Sequence, residues 1–468
     1  MGKKIFHILL ACVACVLCHS CIQDGFTTSS SDVLAFSCDS VKFDTVFTDL
    51  GTPTKQFVVY NRHKKQLNIS SIRVVGGNHN FRINVDGRTG TQFNNIEVRG
   101  EDSIYVFVEC YLDENQGPEP IETTDKIEFI TNGVTQSVTL NAWGQDVTRL
   151  KNVRVPSGEE LHLTTDLPYV IFDSLTVEQG ARLVVDPGTI MYFHSNAKLR
   201  IDGQISALGT VDKNIVMRGD RTDNVVGKYS FDLMSGQWWG MQINATSHGN
   251  EMAYVNMRSS VYGLVVTGDE GEEQDLHLFN CLLHNTMANV LCATDATIAA
   301  EGCEFSDAAG AVVQINGGNT HFIHCTFANY YLFAVPMDVL LFIDMEEFKL
   351  KRLYADNCIF KGMSSSIYPG EFQPSDDVRL RYCLFPEKGT DDANFLNCVW
   401  EADPLFYVQR EKYIFDYRVK NESPAIGAGS VSLCPESARY DRYGCDRLVR
   451  GNIDIGAYTW IPAEEEKK

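Results

Sequence analysis

Cys281-Leu282-Leu283, Cys303-Glu304-Phe305, Cys325-Thr326-Phe327, Cys358-Ile359-Phe360, Cys383-Leu384-Phe385 and Cys398-Val399-Trp400 are copies of one short pattern, a Cys followed two places later by a large apolar side chain. They recur after 22, 22, 33, 25 and 15 residues. Residues i and i+2 of a strand share a face, so each Cys and its partner point the same way. Self-similarity at roughly 20–30 residues is the signature of a solenoid, in which every coil lays its strands on those of the coil before. The pattern predicts an internal column of thiols, Cys281, Cys303, Cys325, Cys358 and Cys383, beside an internal column of rings.

Upstream the same period is visible in other residues. Gly180-Ala181-Arg182-Leu183-Val184-Val185 returns as Gly203-Gln204-Ile205-Ser206-Ala207, and Leu175 and Val177 return as Leu199 and Ile201. Short alternating apolar runs with Gly at each bend read as short strands joined by tight turns. With Trp238-Trp239-Gly240-Met241 and Ala253-Tyr254-Val255 these segments resemble the right-handed parallel β-helix family, the pectin-lyase-like fold. The closing residues Ser423-Pro424-Ala425-Ile426-Gly427, Asp441-Arg442-Tyr443-Gly444, Arg447 and Asp454-Ile455-Gly456-Ala457-Tyr458 resemble the carboxy-terminal end of secreted bacterial members. The resemblance implies a β-helix over 149–460, with about twelve coils and a length on the order of 60 Å at ~4.8 Å per coil.

Ahead of it, 34–148 alternates with a period of two. Ile104, Val106, Val108 and Cys110 fall on one face and Tyr105, Phe107, Glu109 and Tyr111 on the other, and Asn132-Gly133 predicts a hairpin turn. Six or seven short strands suggest a two-sheet sandwich. Phe57-Val58-Val59-Tyr60-Asn61, Phe81-Arg82-Ile83-Asn84-Val85 and Ile127-Glu128-Phe129-Ile130-Thr131 resemble hydin-type immunoglobulin-like domains. The expected fold class is all-β: an N-terminal immunoglobulin-like β-sandwich followed by a right-handed parallel β-helix.

Residues 1–21 carry Lys3 and Lys4 before the apolar run Ile5–Leu17, which is too short to span a bilayer. Ending at Cys21, with Cys15 as a second position, they resemble a Bacteroidetes-like lipoprotein signal. That implies acylation of Cys21, a membrane contact through the lipid and a location at the outer membrane or cell surface. Residues 22–33 read as a linker and 461–468 as a solvated tail. Of the 468 residues, 44% are hydrophobic and 22% charged, which excludes a disordered chain. A formal charge of −21 excludes nucleic acid as a partner.

Chemistry is less legible. The ladder cysteines lack Cys-x-x-Cys spacing, so no metal site is expected and they read as small buried hydrophobes. Cys434 and Cys445 read as a disulfide closing a loop or as two free thiols, and Cys38 and Cys110 leave the same choice. The polygalacturonase strings Asn-Thr-Asp, Gly-His-Gly and Arg-Ile-Lys do not occur, and Asp376-Asp377 and Asp391-Asp392 stand without companions. Arg379 and Arg381, alternating on one strand face after Asp376 and Asp377, are the alternative catalytic set. The acidic run 269–275 reads as a solvated insertion or a Ca²⁺ loop. Of Trp238 and Trp239, one is expected inside and the other at a binding surface. The sequence therefore points first to a non-enzymatic envelope lipoprotein whose β-helix binds a glycan or a protein partner. A polysaccharide lyase or glycoside hydrolase with a divergent site, and an accessory subunit of an outer-membrane assembly, are the alternatives.

Overall fold

A computed structural model of the protein describes residues 25–462, apart from 78–79, 227–228, 270 and 335–338. The expected leader with Cys21, the start of the linker and the end of the tail lie outside the described residues. The chain forms two compact units, Met1–Asp146 and Val147–Lys468.

In the first unit, β1 (Ala35–Phe36), β3 (Lys55–Tyr60), β8 (Ser103–Cys110), β5 (Phe81–Val85) and β6 (Arg88–Gly90) make one sheet, in that order. The second sheet runs β2 (Ser40–Phe47), β10 (Val134–Gln145), β9 (Ile121–Thr131), β4 (Leu67–Val74) and β7 (Gln92–Val98). Their inner faces share one core, with Phe57 of one sheet edge-on to Phe129 of the other at 6.2 Å and Phe43 6.2 Å from Phe81. The β9–β10 hairpin closes through Asn132 and Gly133, both at positive φ (52° and 77°), the backbone its two-residue turn demands. In β8, Val106, Val108 and Cys110 are buried while Tyr105 and Phe107, like Tyr111 just beyond the strand, are exposed.

The second unit is a parallel β-solenoid. Its strands fall on three faces, each strand paired in parallel with its counterpart in the next coil. Face one carries Ile190–Phe193, Ile215–Gly219, Val255–Arg258, Leu282–Thr286, Glu304–Ala308, Thr326–Asn329 and Ile359–Gly362. Face two carries Lys198–Ile201, Gly240–Ile243, Leu264–Thr267, Leu291–Thr294, Val313–Asn316 and Leu341–Asp344. Face three runs from Glu160–Leu163 through Leu276–Phe279 and Thr297–Glu301 to Val378–Arg381.

The corner from face three to face one is made the same way in coil after coil. Tyr254, Asn280, Gly302, His324, Asn357, Tyr382 and Asn397 all sit at positive φ, between 48° and 65°. That left-handed step suits Gly and Asn and turns the chain within a residue, so the next residue, the Cys in six of the seven, enters the interior. The thiols of Cys281, Cys325, Cys383 and Cys398 then reach carbonyls of the preceding coil, those of Met252, Ala300, Ala355 and Leu380, at 3.3–3.4 Å. Two residues on, Phe305, Phe327, Phe360, Phe385 and Trp400 stack in one column with centroids 4.5–5.5 Å apart and planes within 22°.

The solenoid has about nine coils, over 148–381, against the twelve expected from the period. Two facts explain the difference. Insertions at 220–239 and 330–340, between faces one and two, lengthen individual coils. The chain beyond Trp400 forms only short 3-10 turns and isolated bridges among the described residues and folds back on face one. There Phe406, Tyr417, Val419, Ala425, Ile455, Ala457 and Tyr458 bury Ala328, Ile359 and Leu384. Arg447, 1% exposed, fastens this segment by donating to the carbonyls of Ala438, Gly456 and Ala457 at 2.7–3.1 Å. Asn280 and Asn357 at the corner add bonds to the carbonyls of Tyr440 and Ser430.

Candidate functional site

Strand alternation on face one sends Met257, Leu283, Phe305 and Phe327 inward and leaves Arg258, Leu282, His284, Glu304 and Ser306 pointing out. The parallel register sets Leu282 beside Glu304 and His284 beside Ser306. Three irregular segments rise around these residues: the insertion bearing Asp232 and Leu233, the loop bearing Tyr331 and Leu332, and the fold-back segment bearing Phe415–Tyr417, Tyr443 and Tyr458. Together they enclose a cavity of about 280 Å³. Its lining is polar groups set among aromatic rings, the composition expected of a small-molecule site.

Each polar group is fixed by neighbours. Glu304 is 6% exposed; its Oε1 accepts from Ser306 Oγ at 2.7 Å and its Oε2 from the Tyr458 hydroxyl. Asp307, 7% exposed, accepts at Oδ1 from the Tyr417 hydroxyl at 2.7 Å and from the Tyr330 backbone N–H at 2.9 Å. Burial pushes the Glu304 carboxyl up to about 7 and the Asp307 carboxyl up to about 6, more than the hydroxyl bonds pull them down. Both can therefore change protonation near neutral pH. His284 behaves oppositely: burial, then the nearby Arg258 charge, take it down to about 3, so it is a neutral imidazole. Its Nε2 lies 3.3 Å from Asn256 Oδ1.

Asp232 also feels burial, but Arg258 outweighs it with two bonds at 2.9 and 3.0 Å, joined by Arg218 at 3.2 Å, and its carboxyl stays below the usual range. The rim is positioned as firmly. Arg410 donates to the carbonyls of Tyr330 and Tyr331, and the Tyr331 hydroxyl meets Ser235 Oγ at 2.6 Å.

The residues singled out from the sequence lie elsewhere. Arg379 and Arg381 do share the outer side of one face-three strand, but each is committed. Arg381 grips Asp356 through two bonds of 2.6 Å, and Arg379 donates to the carbonyls of Asp376 and Val378. Asp377 accepts from Tyr354 at 2.8 Å and from Arg352 at 3.3 Å, and Asp376 accepts from the Gln373 N–H. Of the four, Arg381 and Asp377 are ion-paired with Asp356 and Arg352, while Arg379 and Asp376 are held by backbone groups. Cys281, Cys303, Cys325, Cys358 and Cys383 are all buried in the solenoid core. Cys434, Cys445 and Cys38 are partly buried thiols in this structure and Cys110 is a buried one. Cys434 is occupied by the carbonyls of Pro435 and Ala438. In the acidic run, Asp275 is 2% exposed and bonded to the Thr297 N–H and to His248 at 2.8 Å, an anchor for the loop.

Trp238 is fully buried and stacks on Phe193 at 4.0 Å, while Trp239 faces outward against Tyr262 and the Lys198 ammonium. Sequence reading missed the cavity because its walls come from segments more than 200 residues apart. One signal was available: Glu304 and Thr326 interrupt the pattern where Leu282, Ile359 and Leu384 are apolar.

A comparison with protein-family models finds no match, and one with curated proteins finds none either. Solved structures give partial likenesses: a family 123 glycoside hydrolase from Clostridium perfringens (8% identity, 26% of each chain, TM-score 0.17), the periplasmic chaperone SfaE (15%, 24% of this chain and 58% of that one, TM-score 0.17) and the Vibrio cholerae protease VesB (12%, 25% and 33%, TM-score 0.17). The matched parts span less than two thirds of each of these proteins, and at such scores the likenesses carry no argument about function.

Proposed function

We propose that the protein is a glycan-binding β-helix protein of the cell envelope, anchored by a lipid on Cys21, and that the face-one cavity is its saccharide site. The observation that carries the proposal is the lining: the rings of Phe415, Tyr331, Tyr417, Tyr443 and Tyr458 set around the polar groups of Glu304, Ser306, Asp307 and His284. A sugar offers C–H faces that suit rings and hydroxyls that suit such donors and acceptors.

The test is a glycan array with the described chain, residues 25–462. Specific binding that disappears when Leu332→Trp fills the cavity is the expected result; binding unaffected by that change would overturn the assignment. A second reading, a glycoside hydrolase, is favoured by one observation. Glu304 and Asp307 hold carboxyls near 7 and 6, the property of a general acid that works at neutral pH. Release of reducing ends from an array hit, abolished in Glu304→Gln, would establish it.

A further inference from the structure

The charges in the cavity are unevenly matched. Asp232 is neutralised by Arg258 and Arg218, and Asp416 by Arg418 at 2.7 Å. Glu304 and Asp307 have no such partner among the described residues. Their hydrogen bonds come from Ser306, Tyr458, Tyr417 and a backbone N–H. The nearest guanidiniums, Arg442 and Arg410, hydrogen-bond to neutral oxygens of Asn280, Asn214, Tyr330 and Tyr331 and reach Glu304 and Asp307 only through space, lowering each carboxyl by less than burial raises it. His284 is neutral and supplies no positive charge. The lining thus offers two carboxyls that lack a paired cation, both more than nine-tenths buried. A buried carboxylate without a cation is costly, and the faces of surrounding rings attract cations as well.

Resting on the saccharide reading above, we propose that the cavity selects a sugar with a free amino group, a hexosamine, whose ammonium is received by Glu304 and Asp307 among the tyrosine rings. An acidic sugar would meet two carboxylates, and a neutral one would leave them uncompensated. Binding the ammonium ionises carboxyls that are otherwise partly protonated below neutral pH, so it releases protons and strengthens as pH rises from 5 to 7. Asp232, held below the usual carboxylate range beside its arginines, and the hydroxyls of Tyr417, Tyr443 and Tyr458, all pushed up by burial, do not titrate in that window.

The experiment is calorimetric titration of residues 25–462 with three probes of equal length: a glucosamine trisaccharide, its fully N-acetylated form and a galacturonate trisaccharide. The glucosamine form is expected to bind at least about tenfold tighter than the acetylated one at pH 7, the scale of one charge interaction in a ring-lined site, and to lose about tenfold at pH 5. Glu304→Gln and Asp307→Asn, separately and together, are expected to erase the preference while circular dichroism stays that of the parent. Equal binding of the acetylated form, or tighter binding of the galacturonate, overturns the amine proposal and leaves the saccharide site standing. A parent protein that binds no glycan on the array would overturn both.

Discussion

Glu304→Gln probes how the fold-back segment is held. The carboxyl is tied to Tyr458 of that segment and sits at about 7, against 4.5 for an exposed Glu. A shift of about 2.5 pH units corresponds to about 3 kcal/mol at ~1.36 kcal/mol per unit. The folded value is raised, so the protonated carboxyl contributes fully below about 4.5 and its contribution is lost as pH rises through about 7. Asp307, bonded to Tyr417 of the same segment and raised from 3.8 to about 6, acts in the same direction over a slightly lower window. The segment should therefore open more readily at pH 8 than at pH 5. Hydrogen exchange of peptides covering 440–460, corrected for the intrinsic pH dependence of exchange, measures that opening. Parent protein is expected to lose about 3 kcal/mol or more of protection between pH 5 and 8. Glu304→Gln, neutral throughout, should retain only the Asp307 part of the change. Protection that rises toward pH 8, or an identical pH profile in Glu304→Gln, would refute the reasoning.

Further outcomes follow from the packing. Phe327, fully buried between Phe305 and Phe360, should cost about 3–5 kcal/mol as Phe327→Ala in urea unfolding; a loss under 1 kcal/mol would mean the ring column is not a main source of stability. Gly302→Ala places a Cβ 2.2 Å from Asn280 Oδ1 at a φ of +65°, and should lower stability by about 1–3 kcal/mol with the fold-back segment loosened first. In the native protein Cys292, Cys398, Cys434 and Cys445 should react with a thiol reagent well before Cys281, Cys303, Cys325, Cys358 and Cys383, read by peptide mass mapping; early labelling of the inner five would contradict a closed core.

The legible part of this chain was what repeats locally. The Cys-x-Phe spacing placed a thiol and a ring on one strand face, and the structure has both columns inside, because side-chain alternation is a two-residue property that needs no tertiary information. The left-handed corner residue just before each Cys was less readable. Asn280, Asn357 and Gly302 suit that backbone, whereas His324 and Tyr382 adopt it only because the stacked coils impose it. Coil number was overestimated because a period does not reveal that the last 60 or so residues leave the repeat and return along face one. The cavity was hidden for the same reason. Glu304 and Tyr458 meet across 154 positions, and neither residue type announces the other. Charged residues close in sequence, such as Asp376, Asp377, Arg379 and Arg381, drew attention instead; Arg381 and Asp377 pair with Asp356 and Arg352 of the neighbouring strand.

The most direct measurement is a crystal structure of residues 25–462 soaked with the strongest array hit. Sugar density is expected in the face-one cavity, in contact with Glu304 or Asp307 and with the rings of Tyr417 and Tyr443. Density on the outward Trp239–Tyr262 surface, with the cavity holding only water, would contradict it.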